Sequence, residues 1–303
     1  MAYKNNDQKL LFSLQEKLMI SFESRALSVR QIVSNDGKKT SWFDRIIWNS
    51  PSAKFQAIQQ LREILVQKSG DYQAGPVRRT WISKDQSDEL RPLGIPNMID
   101  RGLQALVLMC LDPIVEEMSD TYSFGFRKYR NTGNAIQSIR TILDKPKSPK
   151  WIWDVDIKKC FDKILHELLE KEIKLIACPK AYEYIIKGLK APIIDKEVKT
   201  FPSEVTPQGG ILAPLLCNIA LNGLENSVRD GLPSPNSSEG RKISGSWVIR
   251  YADDFIVTSS CKERLIKEHI PRVISFLSER GLNISEKKSK ILNLENEEFT
   301  FLG

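Results

Sequence analysis

The stretch Trp247-Val248-Ile249-Arg250-Tyr251-Ala252-Asp253-Asp254-Phe255-Ile256-Val257-Thr258 constrains this chain more than any other. Two runs rich in Trp, Val, Ile, Tyr and Phe flank adjacent aspartates, the pattern of a β-hairpin with its acidic pair at the turn. Side by side in a core, two carboxylates repel each other and lose hydration unless a cation or donor stands between them. Mg²⁺ suits that role, because it takes hard oxygen ligands and is usually held by one or two carboxylates plus substrate phosphates. An isolated Asp-Asp is most often only a polar turn. The surrounding chain must therefore carry the argument.

With 303 residues and 41% hydrophobic content, the chain can bury two packed subdomains. No run approaches the roughly 18 to 20 apolar residues of a membrane span, and the richest, Leu103 to Leu111, contains Gln104. No membrane partner is expected. Asp7, Glu16 and Glu23 among the N-terminal lysines match neither a signal peptide nor an acid-poor transit peptide, which reads as an intracellular protein. Cys110, Cys160, Cys178, Cys217 and Cys261 form no Cys-x-x-Cys and read as buried free thiols. His166 and His269 stand alone and read as surface or capping residues, which disfavours Ser-His-Asp or Cys-His catalysis. The net charge of +7 resides in residues 1–150, and residues 151–303 are balanced. Such asymmetry suits a half that grips a polyanion beside a half that performs metal chemistry.

Periodicity predicts a helix over residues 8–34 with Leu11, Leu14, Leu18 and Phe22 on one face, and another opening at Asn49-Ser50-Pro51 with Phe55, Ile58, Leu61 and Leu65. Both faces read as core. Strands are expected at Val77–Ile82 and Arg91–Ile95, joined by the charged turn Lys84–Glu89, followed by a helix from Asn97 to Met118. Tyr122 to Arg130 interleaves Arg127, Lys128 and Arg130 with aromatics, a pattern suited to phosphate contact and base stacking. Lys145 to Lys150 reads as the seam between residues 1–150 and 151–303. Beyond it, a strand at 151–157 puts Asp154 and Asp156 on one face, and an amphipathic helix carries Phe161, Ile164, Leu165, Leu168, Leu169 and Ile173. Gly209-Gly210 precedes a helix through Leu221, where close backbone approach and helix N-terminal N–H groups are available to a ligand. A last helix is expected from Arg264 to Arg280.

Taken together, Asp156-Ile157-Lys158-Lys159-Cys160-Phe161-Asp162, Thr206-Pro207-Gln208-Gly209-Gly210, Tyr251-Ala252-Asp253-Asp254 and Phe301-Leu302-Gly303 resemble, in order, the fingers and palm of a reverse transcriptase. With Arg91-Pro92-Leu93-Gly94-Ile95-Pro96, the chain is most similar to enzymes encoded within group II introns. The resemblance implies an α+β right-hand polymerase: helix-rich, RNA-binding fingers in 1–150, and an antiparallel palm sheet packed with helices in 151–303. No thumb is expected within these residues, so the chain reads either as a fingers-and-palm fragment or as one whose thumb comes from elsewhere, and it is expected to bind RNA but extend primers poorly.

Asp156, Asp253 and Asp254 become the catalytic aspartates. Together with the Ile157 carbonyl they would hold two Mg²⁺ ions. Lys84, Arg91, Ile157, Phe161, Gln208 and Gly209 become nucleotide contacts, with Phe161 excluding a 2′-hydroxyl. Arg78, Arg79, Arg127, Lys128 and Arg130 become RNA contacts. The implied partners are group II intron RNA, an RNA template with DNA primer, dNTPs, and a second copy where the fingers dimerise. The implied setting is a ribonucleoprotein in the bacterial cytoplasm or an organelle matrix. Departures from the family pattern are Trp42-Phe43-Asp44-Arg45 for Gly-Val-Asp-Gly, Ala213 for serine, and Lys128-Tyr129-Arg130 for Pro-Gly-Arg. Two alternatives stay open: a splicing-only maturase with an idle polymerase site, and a reverse transcriptase of another retroelement lineage.

Overall fold

The computed structural model describes residues 2–35, 45–67, 70–83, 90–145, 148–196, 198–201, 209–232 and 245–302. In chain order the first elements are α1 (Gln8–Ile20), α2 (Phe22–Ser34), α3 (Pro51–Val66), β1 (Val77–Ser83), β2 (Leu90–Ile95), α4 (Met98–Met118), α5 (Thr132–Leu143), β3 (Trp151–Val155) and α6 (Cys160–Lys163). Then come α7 (His166–Ile176), α8 (Pro179–Leu189), β4 (Ile193–Asp195), β5 (Val198–Thr200), α9 (Ala213–Leu221), α10 (Leu224–Arg229), β6 (Val248–Tyr251) and β7 (Asp254–Ser259). The last are α11 and β8 (Lys290–Asn293), α11 running as Lys262–Arg264, a π turn Leu265–His269 and Ile270–Ser278. The α+β class is as expected.

Two compact units interleave along the chain, one of residues 1–117 and 165–216, the other of 118–164 and 217–303. A single cut at residue 150 does not describe them. Residues 118–150 pack with the second unit because α5 lays Ala135, Ile139 and Ile142 on Ile152, Ile249 and Ile256 of its sheet. Each such isoleucine is worth about 1.5–3 kcal/mol of burial.

In the first unit the expected helix 8–34 is two helices. Ser21 is extended at φ −60° and ψ 146°, and its hydroxyl accepts the Ser24 N–H at 3.1 Å to cap α2. The apolar face of α1 also turns out differently, for Leu14 is 50% and Leu18 38% exposed. The buried positions are Gln15 and Met19, and Gln15 explains why. Its side chain donates to Ile176 O (2.8 Å) and accepts from Cys178 N–H (2.6 Å), which fixes the helix's rotation. Spacing defines a face but not what covers it. In α3, Ser50 caps and Pro51 starts the helix as expected, with Ile58, Leu61 and Leu65 buried and Phe55 exposed. The first sheet has the order β2-β1-β4-β5, with β1 antiparallel to β2 and parallel to β4.

The second unit holds a fully antiparallel sheet of order β6-β7-β3-β8. Its helical expectations also shift. The amphipathic run after β3 breaks at Ile164-Leu165, both extended, into α6 and α7, and α11 absorbs a π turn just before Pro271. Of the two histidines expected at the surface or as caps, His166 opens α7, and both it and His269 are buried, at 5% and 0% exposed. The His269 Nε2 pairs with the Ser246 hydroxyl at 2.8 Å. Cys110, Cys160, Cys178 and Cys217 are buried free thiols as expected, and Cys261 is half-buried. No helix among the described residues is long and apolar enough to cross a membrane.

Candidate active site

The hairpin forms as its sequence dictates, with β6 and β7 paired from Val248↔Val257 to Tyr251↔Asp254. Only Ala252 and Asp253 are left for the loop, and Ala252 takes φ +60°, a conformation that favours glycine. Asp254 is the one exposed residue of β7, which is otherwise buried throughout. The β3–β7 ladder ends at Val155↔Phe255. Asp156 and Asp254 are the next residues beyond that pair on their two strands. Asp154, Asp156, Asp253 and Asp254 line one depression in the second unit.

Electrostatics confirm the crowding. The Asp254 carboxyl is pushed up to about 6, first by desolvation and then by the charges of Asp253, Asp156 and Asp154. Asp154 is also raised, by desolvation and then by Asp156, with Lys290 opposing. Lys288 stands 3.7 Å from Asp156; both are substantially exposed, so that pair adds little stability. The backbone of Asp156 is tied down on both sides, its carbonyl accepting from Ser285 N–H (2.8 Å) and its N–H donating to Ser289 Oγ (3.2 Å). Next to it, Ile157 bridges Ile284, and the bridge bonds run through Lys158 N–H and Asp156 O. They leave the Ile157 carbonyl out.

An all-oxygen donor set of carboxylates and a carbonyl fits Mg²⁺ and not a thiolate- or imidazole-bound metal. A cation would relieve the repulsion that raises Asp254. Among the described residues no three His, Cys, Asp or Glu side chains converge closely enough to hold an ion as placed. The carboxylates share a depression and do not form a closed cage.

The remaining expected site residues divide between the units. Phe161 is half-buried on α6 and meets Phe126 edge-on, centroids 6.3 Å apart at 71°. Arg91 is exposed on β2, opposite Ile82. Gly209 has φ +97°, and a Cβ there would come within 3.3 Å of Gly94 O. Its glycine answers to both conformation and contact. Just before the helix, Ile211 N–H donates to Gln104 Oε1 at 2.9 Å, and the first helical N–H, of Ala213, donates to Gly210 O at 3.2 Å. Asp44, Lys84 and Gln208 lie outside the described residues.

Of the expected RNA contacts, Arg78 is exposed and Arg79 half-exposed on β1, Arg79 lying over the Trp81 ring at 5.9 Å. Arg127 needs correction. It is 7% exposed and donates to Asp120 O (2.9 Å) and Ser123 O (2.7 Å), so its charge braces a turn and does not face solvent. Arg130 is half-buried, donating to Thr121 O at 3.0 Å with its guanidinium over Phe124, whereas Lys128 is exposed. Sequence reading missed Phe126, Lys288, Ser285 and Ser289. The polar run Ser285 to Lys290 was visible, but nothing local says that it returns to Asp156.

Comparison with known proteins agrees with this arrangement. The family described as "Reverse transcriptase (RNA-dependent DNA polymerase)" matches residues 82–303, and the "N-terminal domain of reverse transcriptase" matches residues 1–61. Protein YkfC of Escherichia coli is 30% identical over 95% of this chain and 81% of its own length. The group II intron-encoded protein LtrA of Lactococcus lactis is 40% identical over 53% of this chain, a segment spanning 26% of that protein. A telomerase structure from Candida albicans, solved with a fragment of telomeric RNA, matches 81% of this chain and 48% of its own with a TM-score of 0.54 at 14% identity, a likeness of fold. By these matches the chain belongs to the reverse transcriptase family and stands with its group II intron-encoded members.

Proposed function

We propose that this chain carries out RNA-directed DNA synthesis within a group II intron-encoded protein, adding dNTPs to a primer 3′-hydroxyl and binding intron RNA in support of splicing and retrohoming. The observation that supports the proposal is the depression lined together by Asp154, Asp156, Asp253 and Asp254, just past the end of the β3–β7 ladder at Val155↔Phe255. Asp156, Asp253, Asp254 and the Ile157 carbonyl are the groups that would hold two Mg²⁺ ions. When bound, such ions activate the attacking hydroxyl and stabilise the leaving pyrophosphate of an in-line displacement. The chain's own work is to hold these oxygens on a rigid turn. In the displacement the 3′-oxygen bonds to the α-phosphorus, pyrophosphate departs, and the hydroxyl proton passes to solvent.

In this reading the first unit contributes triphosphate and templating contacts through Lys84, Arg91, Gln208 and Gly209, and RNA contacts through Arg78 and Arg79. The second contributes the carboxylates, Phe161 beneath the incoming sugar, and Lys128 with the solvent side of Arg130. Primer extension on an RNA template with Mg²⁺ and dNTPs tests it, using the chain and its Asp253→Asn variant alongside intron RNA binding. Incorporation that the variant abolishes supports the proposal. Tight RNA binding with no incorporation, both by this chain and by the chain extended by its natural downstream sequence, would instead assign it to the splicing-only class.

A further inference from the structure

Beneath the Ala252-Asp253 turn lies a buried cation. Arg250 is 1% exposed, and one of its terminal nitrogens donates to Ala252 O (2.9 Å) and to Asn218 Oδ1 (3.0 Å). Asn218, also 1% exposed, uses its amide to donate to Gly125 O at 3.0 Å. Gly125 closes the ring, since a Cβ there would come within 2.1 Å of Ala252 N. The main chain of Arg250 is clamped as well, its N–H donating to Tyr122 O (2.9 Å) and its carbonyl accepting from Phe124 N–H (2.8 Å).

This arrangement is costly. Among the described residues the Nε and second Nη of Arg250 have no hydrogen-bond partner. A buried, incompletely paired guanidinium costs more than a well-packed apolar side chain of similar volume. What the arginine provides is a donor on the carbonyl of Ala252, the residue at positive φ that begins the turn. Strained backbone persists only where surrounding contacts over-determine it.

We infer that Arg250, anchored by Asn218 and seated against Gly125, is a positioning residue that fixes the Ala252-Asp253 turn so that Asp253 and Asp254 present their oxygens to a divalent cation. This rests on the reading of those aspartates as metal ligands. The segment Tyr122 to Gly125, which reads in sequence as a nucleic-acid contact, is thereby the inner wall of the turn. Of the full run Tyr122 to Arg130, only Phe126, Lys128 and Tyr129 are exposed.

The test is ion affinity measured apart from catalysis, by Tb³⁺ luminescence with Mg²⁺ competition on the full chain, alongside thermal melting and primer extension. Arg250→Met should weaken ion binding roughly 10- to 100-fold, as loss of an outer support does at metal sites. Extension should recover as Mg²⁺ is raised, and Arg250→Lys should fall between. A merely structural role would lower Tm without moving the ion requirement. A folded Arg250→Met with parental ion affinity overturns the inference. Should Arg250→Met fail to fold, Asn218→Ser carries the same expectation at roughly 3- to 10-fold, and parental affinity there is equally fatal. Asp253→Asn keeps the two readings apart. If it leaves Tb³⁺ binding unchanged, the metal-site reading fails; if it abolishes binding while Arg250→Met does not alter it, only the positioning role fails.

Discussion

The hairpins β1–β2 and β6–β7 share antiparallel pairing and differ in nearly everything else. Along β1 only Val77 is buried and Trp81, Ile82 and Ser83 are exposed, whereas β6 and β7 are buried except for Tyr251 and Asp254 at the turn. The first hairpin presents Arg78, Trp81 and Arg91 on an open surface. The second is held from below by Arg250 and Gly125 and exposes little besides its acids. An open ribbon with long cations can follow a backbone of variable shape, while carboxylates that must meet an ion need a rigid mount. The same secondary structure is specialised by its burial.

That contrast predicts separable losses. Asp253→Asn should reduce primer extension by about 10³-fold, the scale of losing a preorganised electrostatic group, with RNA affinity within about twofold; a comparable loss of RNA binding in a filter assay would break the distinction. Arg78→Glu with Arg79→Glu should do the reverse, weakening RNA binding by about 30-fold at low salt and flattening the salt dependence by roughly 0.7 per lost contact. The Mg²⁺ requirement should stay unchanged. Arg127→Met sharpens the comparison, because its cation is internal. It should leave RNA affinity alone but cost about 1–3 kcal/mol of stability by removing its hydrogen bonds to the Asp120 and Ser123 carbonyls, readable as a drop in Tm.

The smallest expected effect concerns the support of the buried hairpin. His269, which bonds the Ser246 hydroxyl just before β6, is held at about 4 by burial. The unfolded chain binds a proton near pH 6.5 that the folded chain refuses. The stabilising margin is therefore full above about pH 6.5 and is lost as pH falls toward 4. Between pH 7 and pH 5 this should lower Tm by roughly 5 °C. His269→Gln should melt with a flatter pH dependence over that window, and an unchanged slope would remove His269 as the cause.

Much of the second hairpin was legible because its signal is local. Alternating β-branched and aromatic residues around Asp253-Asp254 fix both strands and turn, and the ladder to β3 follows the same alternation. The capped start of α3 at Ser50-Pro51 was equally local. The break at Ser21 was less so. Serine is tolerated within helices, and only the cap it forms with Ser24 and the packing of α2 reveal the corner. Which face of α1 is inward depended on Gln15 reaching backbone groups more than 160 residues away in sequence.

The site divides along the same line. Backbone periodicity puts Asp154 and Asp156 on one face and Asp253-Asp254 at a turn, but singling out Asp156 with that pair rested on the family resemblance. Arg127 could not be told from Lys128, since adjacent cations differ only in what their side chains reach after folding. By itself the sequence determined the α+β elements, the acidic turn and the family, because these rest on short-range spacing and the order of motifs. Only the tertiary structure decided that residues 118–150 pack with the second unit, that Ser285 and Ser289 hold Asp156, and that a buried Arg250 braces the turn. Those facts are contacts between residues distant in sequence, formed where burial removes the water that would otherwise satisfy the same polar groups.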